Sequence, residues 1–152
     1  MSKVFLSYAH SDLEVAEEIA QRLQKFGLSV WRDQSIVAGE PFVDPMEEAI
    51  KDADVVVVLL SRQSGKSDFV KREAEFALSG KKLVIPVLLD EDSTRNYVWP
   101  LLADRLGIKV DNDHSLINVA EQIVDAVRKS EEADGTANWL GRGLFSRSKL
   151  AG

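Results

Sequence analysis

Val55-Val56-Val57-Val58-Leu59-Leu60, residues 55–60, is apolar at every position. A strand with one wet face alternates apolar and polar side chains. An unbroken apolar run instead suits a central parallel strand covered on both faces. Just upstream, Asp44-Pro45-Met46-Glu47 opens a helix, with Asp44 as N-cap, Pro45 at N1 and Glu47 at N3. Met46, Ile50 and Ala53 form its buried side. Just downstream, Ser67 to Leu78, SDFVKREAEFAL, reads as a second helix. Ser67 is its N-cap, Asp68 lies in the positively polarised first turn, and Gly80 is its stop.

The same alternation continues outward. Val4 to Tyr8 is a short strand, and Ser11-Asp12-Leu13-Glu14 is a capping box opening a helix. That helix carries Leu13, Ala16, Ile19, Ala20 and Leu23 on one face and ends at Gly27. Leu28 to Trp31 is the second strand. Arg32 to Phe42 has no period and holds Gly39 and Pro41, so it is a loop. Leu83 to Leu89 is the fourth strand, and its Pro86 should lie where no ladder donor is needed. Glu91 to Asp104 is a polar connection with a short helix near Leu101, and Ile108 to Val110 is a weak fifth strand. Leu116, Val119, Ala120, Ile123 and Val127 mark the last helix, ending near Lys129. Such an order predicts an α/β fold: an open, mostly parallel five-stranded sheet with helices on both faces. Residues 131–152 hold four of the nine glycines and no sustained period, so they are expected to be a flexible tail or a linker toward another module. Trp139, Leu140, Leu144 and Phe145 could alternatively dock on a partner.

A chain of 152 residues, 45% hydrophobic and 29% charged, is long enough for one soluble domain with a real core. Its net charge of −6 argues against a nucleic-acid surface, which needs clustered Lys and Arg. With no cysteine, disulfides, thiolate catalysis and zinc–thiolate sites are excluded. His10 and His114 make no metal-ligand spacing. No apolar run is long enough to span a membrane. The start, MSKVFLSY, lacks a signal peptide's apolar region, so a cytoplasmic protein is expected.

One residue of the Ser67–Leu78 helix breaks its pattern. At 100° per residue, Phe69, Val70, Ala74, Phe76 and Ala77 gather on one side, and Glu73 falls inside that arc. Glu75 and Lys71 point away from it. A buried carboxylate needs a partner, a cleft or a raised pKa. Two readings follow: a Glu at the margin of the apolar face, paired with Lys66 or Arg72, or a cleft carboxylate that performs chemistry.

In open α/β sheets, ligands bind outside the carboxyl ends of the strands. Segments Ser7–Asp12, Arg32–Pro41, Ser61–Ser67 and Asp90–Trp99 lie there, and Glu73 can approach the same edge. No G-x-G-x-x-G follows the first strand. Gly65-Lys66-Ser67 resembles the end of a phosphate loop, but the first glycine of that motif would fall on Leu60, inside the strand. A phosphoacceptor receiver would need an acidic pair where Tyr8-Ala9-His10 stands.

Phe5-Leu6-Ser7-Tyr8 with Ser11-Asp12, Val30-Trp31-Arg32-Asp33, Gly39-Glu40, and Ser67-Asp68-Phe69-Val70-Lys71-Arg72-Glu73 together resemble a Toll/interleukin-1 receptor (TIR) domain. The last stretch is similar to the family's S-x-W-C-x-x-E pattern, and Val84-Ile85-Pro86-Val87 resembles the strand beyond it. The resemblance covers about residues 3–129 and implies a flavodoxin-like three-layer fold, with a TIR domain over residues 1–130. It also points to a bacterial or plant-type member. Many such members cleave NAD+, and their catalytic glutamate corresponds to Glu73. The resemblance further implies that Ser7, Tyr8, Ala9 and His10 lie beside the nicotinamide-side ribose and phosphates. Asp33 and Gly39 belong to the loop region that closes over the nucleotide and mediates assembly, and Ser67 and Phe69 bind substrate ahead of the glutamate, Phe69 with an aromatic face against a ring. This chain departs from the family where Phe69 replaces a frequent Trp, Val70 a frequent Cys, and Ala9 or His10 a frequent Arg.

The chemistry such a site must perform is modest. The bond between nicotinamide and ribose already carries a cationic leaving group, so no general acid is required. One buried carboxylate can stabilise an oxocarbenium-like ribosyl group and hold its hydroxyls. NAD+ is then a substrate, with no cofactor and no metal. The expected function is an NAD+ glycohydrolase or ADP-ribosyl cyclase, an immune or defence effector activated by TIR–TIR self-association or by another TIR or sensor module. The alternatives are a non-enzymatic TIR scaffold and a nucleoside-processing transferase with a similar cleft Glu.

Overall fold

The computed structural model describes residues 2–31, 44–62, 64, 68–93, 99–102, 104–105, 107–110 and 116–141, with the backbone alone for 44–46, 68–69, 99–100 and 133–141. Five strands, β1 (Lys3–Ser7), β2 (Ser29–Trp31), β3 (Val55–Leu60), β4 (Leu83–Leu88) and β5 (Ile108–Lys109), form one sheet in the order β2-β1-β3-β4-β5. All four neighbouring pairs are parallel. This is the flavodoxin-like order, whose switch point lies between β1 and β3. The helices are α1 (Leu13–Lys25), α2 (Asp44–Asp52), α3 (Asp68–Ser79), α4 (Trp99–Leu102) and α5 (Leu116–Gly141).

The core has two layers, one on each face of the sheet. Val55, Val57 and Leu59 join Leu6, Ile19, Leu23, Ile123 and Val127 under α1 and α5. Val56, Val58 and Leu60 join Phe5, Ile50, Val70, Ala74 and Ala77 under α2 and α3. Every residue of β3 is at most 1% exposed, as an unbroken apolar run between two helical layers requires. The period of two on β1 sends Val4, Leu6 and Tyr8 to the first layer and Phe5 and Ala9 to the second. Ser7 therefore faces α2 and α3, in an otherwise apolar row.

Several local expectations hold, with physical detail added. Gly27 ends α1 at φ +89, and Gly27 and Leu28 donate to the Gln24 and Leu23 carbonyls, a Schellman pattern. Pro86 is tolerated because β5 pairs with β4 only from Val87 onward. Its carbonyl lies toward Gly107, so its nitrogen faces that same still-unpaired edge. Trp31 stacks on Phe5 with ring centroids 4.8 Å apart, closing the β2 edge.

Other expectations need correcting. Ser11-Asp12-Leu13-Glu14 does not form a capping box: residues 10–12 make a 3-10 turn and α1 starts at Leu13 with no side-chain cap. The Asp12 carboxylate instead accepts from Ser61 Oγ at 2.6 Å, a tertiary bond that outcompetes the local one. Leu13 is 38% exposed rather than buried with its helix face, because it begins the first turn at the sheet's edge. The left-handed residue after α3 is Lys81 at φ 56, not Gly80. The last helix does not end near Lys129 but continues to Gly141. Ser130-Glu131-Glu132-Ala133 contains good helix formers and no proline, and Gly135 by itself weakens a helix without ending it. The hydroxyl of Ser2 donates to the Glu131 carboxylate, tying that turn to the start of the chain.

Candidate active site

The C-terminal ends of β1 and β3 flank the switch point, where a sheet of this order leaves a crevice. Helix α3 descends from that edge, and its apolar positions 70, 74 and 77 bury against the sheet. Glu73 lies between them in phase and is 2% exposed, whereas Glu75 is exposed and Lys71 half-buried. The helical phase thus placed the carboxylate correctly. Its partner is Ser7, at the end of β1 and 0% exposed: Ser7 Oγ donates to Glu73 Oε1 at 2.5 Å. The other oxygen, Oε2, is buried and has no hydrogen-bond partner.

Burial pushes the Glu73 carboxyl up to about 8, and the Ser7 hydroxyl opposes that rise without cancelling it. No cation pairs with Glu73 among the described residues. Glu73 is thus buried rather than at the margin of the apolar face, and the pairing with Arg72 does not form. Arg72 is exposed, and Lys66 lies outside the described residues.

The other expected site residues divide three ways. Tyr8 and Ala9 are buried directly after β1 and His10 is exposed in the following turn, so the Ser7–His10 segment does run along this edge. Ser7 itself has no open surface. Asp33, Gly39 and Ser67 lie outside the described residues, as does the side chain of Phe69.

A second polar cluster on the same edge was not anticipated. Ser61, the first residue after β3, donates through Oγ to Asp12. Ser61 N–H donates to Ser64 Oγ at 2.7 Å, and Ser64 N–H donates back to Ser61 Oγ at 3.1 Å. Asp90, just past β4, accepts from the backbone N–H of Arg62 at 3.0 Å. Burial raises the Asp12 carboxyl above its usual range, Ser61 lowers it, and the Asp90 charge adds to the rise. Position after a strand end had put Asp12, Ser61 and Asp90 at this edge, but the capping-box reading gave Asp12 a local helix-end role rather than a bond to Ser61.

A pocket of about 280 Å³ opens between α2 and α3, lined by Glu47, Ile50, Arg72, Glu73, Glu75, Phe76 and Ser79. It reaches Glu73 from the helical flank rather than from the strand ends. Among the described residues, no cluster of His, Cys, Asp or Glu could hold a metal ion, and no helix is long and apolar enough to cross a membrane.

An open parallel sheet of flavodoxin-like order, with a buried glutamate bonded to the end of β1, defines an α/β domain with a carboxylate inside its α3 layer. The family model described as the TIR domain matches residues 4–131, and the chain belongs to that family. It is similar in structure to the TIR domain of the Toll-related receptor TRR-2 from Hydra magnipapillata (TM-score 0.68, 20% identity, 84% of this chain and 99% of that one). It is also similar to the TIR domains of the activated Roq1 resistosome, which directly recognises the pathogen effector XopQ (TM-score 0.66, 18% identity, 84% and 99%). A third likeness is to the Clostridium botulinum CMP N-glycosidase BcmB (TM-score 0.57, 17% identity, 80% and 96%). In sequence, 98 residues are 29% identical to the uncharacterized protein y4lF of Sinorhizobium fredii (strain NBRC 101917 / NGR234), over 59% of this chain. The match spans only 30% of that relative's length.

Proposed function

We propose that this TIR domain cleaves the nicotinamide–ribose bond of NAD+, as a glycohydrolase or ADP-ribosyl cyclase, with Glu73 as the catalytic carboxylate. One observation carries the reading: Glu73 is buried and, among the described residues, has no cation beside it and keeps Oε2 without a partner. A structural ion pair would have a counter-charge, and a core position would hold an apolar residue. Burial by the protein alone favours the neutral acid. A cationic nicotinamide riboside beside it favours the carboxylate, because opposite charge stabilises the ionised form. The C1′–N bond then breaks with its electron pair leaving on neutral nicotinamide. Water bonds to C1′ and loses a proton to solvent, or a nitrogen of the adenine closes a ring. Glu73 stabilises the ribosyl cation through charge and holds a ribose hydroxyl through Oε2.

Asp33, Gly39, Ser67 and Phe69 complete the nucleotide site in this reading, with Tyr8, Ala9 and His10 along the β1 edge. The domain serves as a cytoplasmic defence effector switched on by self-association or by a sensor module. The likeness to the Roq1 resistosome TIR domains supports that role. The likeness to a CMP N-glycosidase favours a second reading, in which a pyrimidine nucleotide is hydrolysed at the same carboxylate. Incubation with NAD+, CMP and deoxynucleosides separates these. Nicotinamide release is expected. Cytosine release alone would select the second reading. No cleavage of any substrate, by protein shown to be oligomeric, would leave a binding scaffold.

A further inference from the structure

Resemblance placed Ser7 among the residues that touch substrate, yet its hydroxyl is spent on Glu73, whereas Glu73 Oε2 has no partner among the described residues. We propose that Ser7 is a positioning residue: it fixes Glu73 Oε1 from the end of β1 and thereby leaves Oε2 as the single oxygen offered to the ribosyl group. This rests on the catalytic reading of Glu73. The geometry is built by the fold rather than by local sequence. The period of two on β1 points Phe5, Ser7 and Ala9 toward α3, and the parallel pairing of β1 with β3 brings Ser7 under Glu73 across 66 residues. A Glu side chain on a helix has three rotatable bonds, and a bond to an immobile strand residue removes that freedom before substrate arrives.

Few other groups compete for the carboxylate. From α2, Glu47 lines the pocket on the helical flank, and on α3 itself Arg72 and Glu75 line it from exposed positions. From the sheet, β3 presents Val56, Val58 and Leu60, and β4 presents Val84 and Leu88, all apolar. Ser7 is the polar group that β1 adds. It donates to Glu73, so it favours the ionised form.

The test uses Ser7→Ala and Ser7→Thr in the full chain, with NAD+ turnover against pH and a carbon-13 titration of the Glu73 carboxyl. Ser7→Ala should lower kcat by tenfold or more with little change in KM, and move the alkaline-rising limb of activity to higher pH. Ser7→Thr, which keeps the hydroxyl, should recover most of the loss. In the titration, Ser7→Ala should raise the Glu73 midpoint, and that readout needs no turnover. A raised KM with unchanged kcat would make Ser7 a substrate contact and overturn the proposal. An unshifted Glu73 midpoint in folded Ser7→Ala would overturn it as well. If the parent cleaves no NAD+ but the midpoint moves, the positioning stands and the proposed reaction fails instead.

Discussion

Glu73 is held where an ordinary carboxylate is disfavoured, and the penalty depends on pH. The folded protein binds the Glu73 proton more tightly than the unfolded chain, with midpoints of about 8 and 4.5 respectively. Between those values the folded state carries the extra proton, so stability falls as pH rises through the window. The loss is complete above about pH 8 and amounts to at most about 5 kcal/mol. Glu73→Gln removes the titration. Its melting temperature, relative to the parent, should therefore rise progressively from pH 5 to pH 8. A constant difference across that range would mean that Glu73 does not titrate from a buried neutral state. Part of this was legible in the sequence. Helical phase placed Glu73 inward and Glu75 outward, because a 3.6-residue period is local information. Ser7 was not legible as the partner, since only strand order brings β1 under α3.

Helix ends show where local signals mislead. Gly80 looks like the stop of α3, but Lys81 takes the left-handed conformation, with its N–H on Leu78 O and the Lys82 N–H on Ala77 O. A Cβ at Gly80 would meet only ordinary contacts at 3.6 Å. Lys81→Gly should stabilise by about 0.5–1 kcal/mol, a rise of about 1–4 °C, and Gly80→Ala should be neutral or slightly stabilising. A fall in melting temperature for Lys81→Gly would show that the Lys81 side chain contributes more than its backbone strain. Which residue becomes left-handed depends on how the chain re-enters β4, where Lys82 Nζ also donates to the Lys51 and Ala53 carbonyls at 2.6 and 2.9 Å. Helix α5 raises the same point about boundaries. The apolar period fades after Val127, but the backbone stays helical to Gly141. The turn at Glu131 is still tied to the body of the domain, because its carboxylate accepts from Ser2. Deleting 133–152 should leave the thermal midpoint nearly unchanged, while deleting 131–152 should cost about 1 kcal/mol through the lost Ser2 bond. A drop of many degrees on removing 133–152 would mean that Trp139 and Leu140 dock on the body.

For the molecule as a whole, β3 carried most of the fold information. Its apolar run required a covered parallel strand, and alternation with helices gave five strands in three layers. The loop expected to complete the nucleotide site carries no such period, so its residues were identified by family likeness alone. If neighbouring copies supply part of that site, NAD+ turnover per molecule should rise with protein concentration; flat turnover by a species monomeric throughout in light scattering would refute this. The central claim is that Glu73 performs the cleavage. Its most direct test is nicotinamide release and melting temperature measured together for the parent and Glu73→Gln at one concentration. The expected result is a fall in release of about 10²–10³-fold in a variant that melts at or above the parent temperature. Full release of nicotinamide by folded Glu73→Gln would contradict it.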